Sequence, residues 1–336
     1  MQRKGKLLSL LVTGLCFLQG CTGTAATVPE AAPSPTAQSV RWPHDRLPAD
    51  ENGVPILDVY VVEDEQVETI DIETYLQGVL AGEMKSDWPM EALKAQAILA
   101  RTFVLKFVDE KESRYEGADI STDIEEAQAY DASAVNARIK QAVNETRGLV
   151  IAHGGELPYA WFHAHSGGLT ELAKPGLSWD EDEPLYTQCV QSNEPETVSD
   201  PTDMRTLKDA QRWSATFPYS EFAAACASLG AEVDVKDGSE LTISQRGESG
   251  RAQTIAIGDQ SVDAAELRIA LGSTKMRSTL LTSLLAEGGS VQMAGKGYGH
   301  GVGMSQWGAY GMAQNGSTAE EIVTHYFRNV AVEKLW

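Results

Sequence analysis

A carboxyl on the apolar face of a helix is the feature of this sequence best suited to chemistry. Ile72, Tyr75, Leu76, Val79 and Leu80 recur at the i, i+3, i+4, i+7 and i+8 spacing of one helical face, and Glu83 continues that face. A carboxyl placed there loses hydration, which penalises its charged form and raises its pKa; the negative end of the helix dipole acts in the same sense. Such a group can reach neutral pH protonated, as a general acid at a glycosidic bond must.

A second concentration of reactive side chains lies in the densest glycine cluster, Gly295 to Met312, where His300, Ser305, Gln306, Trp307 and Tyr310 have the character of a sugar-contacting surface. A tight structural turn into a helix from Ser305 is the plainer reading of the same glycines. His163 and His165 are spaced to share one face of a strand, an arrangement that suits a metal, although paired histidines are more often ordinary polar residues. Several chemistries are disfavoured. Neither Ser166 nor Ser305 sits in G-x-S-x-G, no H-E-x-x-H occurs, and the run at Gly297 to Gly301 matches a dinucleotide fingerprint poorly.

The elements that must hold these residues follow from periodicity. Alternation over Ile56–Val62 predicts a strand with Val67–Ile70 as a hairpin partner, ahead of the helix from Ile72. A second helix starts at Asp87 or Trp88 with Pro89 in its first turn, and its stripe is Met90, Leu93, Ala97, Ala100, Val104 and Phe107. A third spans Ala132–Glu145 and closes at Gly148. Leu149–Ala152 and Leu157–Phe162 read as a hairpin around His153–Glu156, and Asp180–Asp209 as an acidic surface insertion in loop conformation. Beyond it come a helix near Tyr219–Leu229, strands at Glu240–Gln245 and Ala252–Ile257, and a helix at Asp263–Leu271. The fold class is therefore α+β, with helices and antiparallel hairpins around a ligand groove.

Arg3, Lys4 and Lys6 precede an apolar stretch, Leu7–Phe17, too short to span a membrane and suited to an export signal over residues 1–20. Leu18-Gln19-Gly20-Cys21 resembles a bacterial lipobox, which would make Cys21 a lipidated residue and place the protein on the outer face of the cytoplasmic membrane, facing the cell wall. Residues 21–53, rich in Pro, Ala, Ser and Thr, read as a tether, and 54–336 as the folded region. The formal charge of −21 becomes about −24 once the three cations of the signal are gone, which disfavours nucleic acid and anionic lipid surfaces as partners. Cys189 and Cys226 alone make no disulfide framework.

Motifs in consistent order carry a resemblance. Glu73–Met84, Trp88–Ala97, Ala100–Phe103, Gln128–Tyr130, Thr146–Gly148, Phe162–Gly168 and Gly303–Ala309 together resemble the signature of the stage II sporulation protein D family, over roughly Ile56 to Arg328. The resemblance implies a lytic transglycosylase acting on peptidoglycan glycan strands, with Glu83 catalytic and Arg101, Tyr130 and Ser166 joining the glycine-cluster side chains in substrate binding. It implies a wall amidase as partner. Some relatives bind zinc through His and Cys near the Ser-Gly-Gly segment; here the candidates are His163, His165 and Cys189, and no cofactor is expected. Because related domains include amidase enhancers, the alternative is a non-catalytic wall-binding module that positions an amidase.

Overall fold

The computed structural model describes residues 40–336. The signal segment and Cys21 lie outside the described residues. The α+β class holds, and the sheets are small.

A hairpin comes first: β1 (Ile56–Val61) pairs antiparallel with β2 (Gln66–Asp71), Ile56 opposite Asp71. It leads straight into α1 (Ile72–Glu83), where the Asp71 carboxylate accepts from the Thr74 amide at 3.0 Å and satisfies one free donor of the first turn. Residues 84–89 connect to the long helix α2 (Met90–Glu110), with Pro89 as N-cap, where it removes no needed donor. β3 (Ile120–Ser121) joins β1 in parallel. After a single turn at Ala132–Ala134 come α3 (Ala137–Glu145) and β4 (Leu149–Ala152).

The next stretch carries β5 (Phe162–His163), α4 (Ala173–Leu177), α5 (Pro201–Gln211), β6 (Trp213–Pro218) and α6 (Tyr219–Ser228). β7 (Leu241–Arg246), β8 (Ala252–Ile257), β9 (Gln260–Asp263) and α7 (Ala264–Ala270) follow, then β10 (Leu281–Glu287) and β11 (Ser290–Gly295). The strand orders are β7-β8-β9 and β10-β11-β6. Phe217, Phe222, Ile255, Leu267 and Val291 fill a core of their own between these sheets and helices.

The chain then returns to the first core through β12 (Met304–Ser305), parallel to β5, followed by α8 (Gln306–Gln314), α9 (Ala319–Tyr326) and β13 (Ala331–Lys334), which pairs antiparallel with β4. In that core Leu76, Val79, Leu80, Leu93, Ala97 and Val104 are fully buried along the facing stripes of α1 and α2. Each large side chain so buried contributes roughly 1.5–3 kcal/mol.

Four expectations are corrected. The turn at His153–Glu156 exists, but β4 pairs with β13 and Phe162–His163 with Met304–Ser305, because distant strands compete better for those edges than the local return strand. Residues 180–209 are not a loop apart from the core: α5 begins at Pro201, while Thr187, Ser192 and Asp203 are buried. Residues 40–53, read as tether, are packed, with Leu47 in the core and the Trp42 ring 5.8 Å from that of Trp336. The third helix starts five residues later than expected, at Ala137, where Asn136 caps it. Cys189 and Cys226 are both free, Cys226 within the second core.

Candidate active site

Glu83 ends α1 and is half-buried. Its two carboxyl oxygens have different donors. Oε1 accepts from the Ala129 amide at 2.8 Å, and Oε2 accepts from Nε2 of Gln306 at 3.2 Å. Burial pushes the Glu83 pKa up to about 6, against the pull of those two hydrogen bonds, which favour the charged form. Each oxygen keeps a lone pair free, so the carboxyl can carry or accept a proton without losing either donor.

The local sequence makes this possible through two glycines one turn apart. Segment 128–130 lies directly across α1: the Asp131 amide donates to the Gly78 carbonyl at 2.9 Å, and the Tyr130 ring covers Gly78 while stacking 5.5 Å from Tyr75. A Cβ on Gly82 would come within 2.7 Å of the Tyr130 amide nitrogen and 2.8 Å of the Ala129 carbonyl carbon. Only glycine allows the strand of backbone that offers its N–H to Glu83 to sit so close.

Gln306 arrives from the opposite end of the sequence. It is the first residue of α8, and the N-cap Ser305 accepts from the Gly308 amide while its own hydroxyl donates to Oε1 of Glu194 at 2.6 Å. The same Glu194 oxygen accepts from the Ser166 amide, and Oε2 lies 3.2 Å from Nδ1 of His165. Glu194 thus pins the start of α8 to the Ser166 loop and sets the direction from which Gln306 reaches Glu83.

Glu194 carries no periodic signal in the sequence, being an acidic residue within an acidic stretch. Nor does Ala129, which acts through its backbone alone.

The expected binding residues separate into two groups. Tyr130 and Tyr310 are partly exposed, and Gln306 and Trp307 sit beside them; Trp307 packs 4.4 Å from Trp88 and 5.3 Å from Tyr310. These adjoin Glu83. Arg101 does not face solvent at all: it is fully buried, donates to both oxygens of Glu73 at 3.1 and 2.6 Å, and donates to the Leu149 carbonyl at 2.9 Å. Ser166 and Ser305 are likewise fully buried, with their polar atoms engaged in the backbone turns they stabilise. His300 is spent on structure as well, accepting from the Val302 amide at 3.0 Å, and burial pushes its pKa down to about 3. The glycine cluster serves close backbone packing: a Cβ on Gly303 would collide with the Trp161 carbonyl.

His163 and His165 are both buried. The Nδ1 of His163 meets the Val302 carbonyl at 3.1 Å, whereas that of His165 meets Glu194, and burial lowers both pKa values. Among the described residues no three His, Cys, Asp or Glu side chains gather into a set able to hold a metal ion. His163, His165 and Cys189 do not form such a set, and the Nε2 atoms of both histidines are buried without a partner among the described residues.

A family model described as "Stage II sporulation protein" matches residues 62–153, which span α1, α2 and Ala129, and the stage II sporulation protein D of Bacillus amyloliquefaciens is 29% identical over 98% of this chain and 96% of its own length. The chain is thus similar to stage II sporulation protein D over most of its length. Stage II sporulation protein D of Bacillus subtilis is 29% identical over 82% of the chain and 78% of its own length. The amidase enhancer of Bacillus subtilis is 27% identical over 75% of the chain, which spans 39% of that protein. A second model, described as a domain of unknown function, matches residues 181–303 and so includes Glu194. Gln306 lies outside both matched segments.

Proposed function

We propose that the chain is a peptidoglycan lytic transglycosylase that cuts glycan strands and leaves 1,6-anhydro ends. The observation that carries this reading is the state of one carboxyl: Glu83 is half-buried, held at both oxygens, and poised with a pKa of about 6. Its proton goes to the oxygen of the glycosidic bond as that bond breaks. The sugar's own 6-hydroxyl then bonds to the freed anomeric carbon and returns its proton to the Glu83 carboxylate, which restores the acid. One carboxyl suffices for both steps, and water takes no part. Tyr130 and Tyr310, partly exposed on the two segments that hold Glu83, are the aromatic side chains that would bear on the sugar.

A role at the cell wall is supported by similarity to stage II sporulation protein D and to an amidase enhancer. Lipid attachment at Cys21 and export to the wall-facing side of the membrane belong to the same proposal. The amidase enhancer relative also favours a second reading, in which the domain binds wall glycan and positions an amidase without cutting.

Mass spectrometry of peptide-free glycan separates the two. Wild-type protein is expected to leave anhydro ends, and Glu83→Gln to bind glycan while cleaving 10² to 10⁴ times more slowly, on the order of what general acid–base catalysis contributes. A folded, glycan-binding Glu83→Gln protein that cleaves at the parental rate would sink the mechanism. No cofactor enters the proposed steps, so a strong chelator should leave the rate unchanged; loss of cleavage that zinc restores would overturn that part.

A further inference from the structure

Glu194 holds the residue that precedes Gln306. Its side chain is only 6% exposed, and both of its oxygens are engaged. Oε1 accepts from the Ser166 amide and from the Ser305 hydroxyl, and Oε2 faces Nδ1 of His165 at 3.2 Å. The Gly167 amide competes for that nitrogen at 2.9 Å. A carboxylate opposite a bare lone pair is repelled, whereas an N–H between the two makes a charge-assisted bond, so the His165 proton is assigned to Nδ1.

The sequence of α8 is suited to this contact. A Cβ on Gly308 would run into the Ser192 hydroxyl, and one on Gly311 into the Asn193 carbonyl, so the segment leading to Glu194 rests directly on the helix. The Ser305 hydroxyl accepts from the Gly308 amide at 3.2 Å as N-cap and donates its one proton to Glu194 at 2.6 Å. An N-cap hydroxyl with no acceptor for its proton is free to turn; this one is not. At the other end of the clamp Arg251, fully buried just before β8, donates to the Ser166 carbonyl at 2.5 Å and to the Leu169 carbonyl at 2.9 Å. Gln306 follows the cap at once and donates from Nε2 to Oε2 of Glu83 at 3.2 Å and to the Glu83 backbone carbonyl at 3.4 Å. Both bonds are long, so a small rotation of the first turn of α8 would lose them.

We propose that Glu194 is a positioning residue for the acid: by fixing the N-cap of α8 to the Ser166 loop, it keeps the Gln306 amide on Glu83. Its role is to hold and not to transfer a proton. That Glu83 acts as an acid rests on the proposed activity; the clamp is independent of it.

Selective nitrogen-15 labelling of glutamine in the full chain reads the contact by NMR, with no cleavage required. The Gln306 side-chain amide, identified by its loss in Gln306→Met, is expected to shift with pH as Glu83 titrates, with a midpoint of about 6, and to lose that response in Glu83→Gln. Tyr75 and Tyr130, stacked on each other beside α1, have pKa values raised by burial and stay neutral across this range. The response should vanish in Glu194→Ala and persist in Glu194→Gln, whose side-chain carbonyl still accepts from Ser166 and Ser305. A Gln306 amide that follows Glu83 unchanged in folded Glu194→Ala, or that does not follow it in the parent, would overturn the assignment. Where Glu194→Ala does not fold, Ser305→Gly, a tolerated N-cap that cuts the tie between Glu194 and α8, decides in the same way. In a cleavage assay kcat should fall about tenfold or more in Glu194→Ala with KM little changed, and a parental kcat in that folded variant would also count against the assignment. A parent that leaves no anhydro ends while its Gln306 depends on Glu194 would defeat the activity alone. Anhydro ends from a protein whose Gln306 is indifferent to Glu194 would defeat only the clamp.

Discussion

Glu83 is held in a state that the folded protein must bear. Its raised pKa means that the folded chain binds its proton more tightly than the unfolded chain does, so the ionised carboxylate destabilises the fold. The sign is opposite to that of a carboxylate in an ion pair. The penalty is absent below about pH 4.5, grows as pH rises to about 6, and is complete above it, where it amounts to about 2 kcal/mol. Glu83→Gln should therefore raise the melting temperature at pH 8 and change it little at pH 4, the Gln306 amide turning over to accept from the new side-chain amide. Equal melting temperatures for parent and variant at pH 8 would contradict this. The cleavage step initiated by protonated Glu83 should be level below pH 6 and fall about tenfold per pH unit above it, as a pH–rate profile would record. This residue was legible in the sequence because its signal is local, five apolar neighbours at helical spacing. Its partners were not: Ala129 acts through a backbone group that every residue has, and Gln306 lies on a helix 223 residues away.

Elements meet in this fold through small residues and one buried ion pair. Gly82→Ala would push the 128–130 segment off α1, and is expected to destabilise by roughly 1–3 kcal/mol and to lower cleavage at least tenfold by loosening the Ala129 donor. Urea unfolding and a cleavage assay measure the two effects; unchanged cleavage would show that the donor does not matter. Arg101 offers a sharper contrast. As a substrate residue it would tolerate Arg101→Met with a raised KM, but the buried guanidinium neutralises Glu73, which also accepts from the Gly148 amide and from Nε1 of Trp336. Arg101→Met should cost about 3–5 kcal/mol by leaving Glu73 buried and unpaired, visible as a lower urea midpoint. Full stability with weakened glycan binding would restore the substrate role. The sequence did hold a clue: Ala97, Ile98, Val104 and Leu105 flank Arg101 at −4, −3, +3 and +4, and all are buried. Helices and hairpins with a period of their own were legible to within a few residues, as α1 and β8 illustrate. Pairings such as β4 with β13 were not, since either strand alone is a short apolar run with several suitable partners.

At the scale of the molecule, the described fold is acidic and contains no helix long and apolar enough to cross a membrane. Cys21 is the proposed point of attachment to a bilayer. On that proposal, Cys21→Ser should move the protein from the membrane to the soluble fraction. A variant that sediments with membranes as firmly as the parent would remove the lipid from the picture.

The path of the chain also sets an order in time. β4 has no partner until β13 has been made, and Glu73 receives the indole of Trp336 across 263 residues. Contacts closed over such separations form late and slowly. Gln306 and Ser305 belong to the same late group, so during synthesis α1 can form while its terminal carboxyl is still wet and ionises like any other. The surroundings of Glu83 are thus complete only once α8 has docked, and a chain lacking that docking lacks the donor on Oε2.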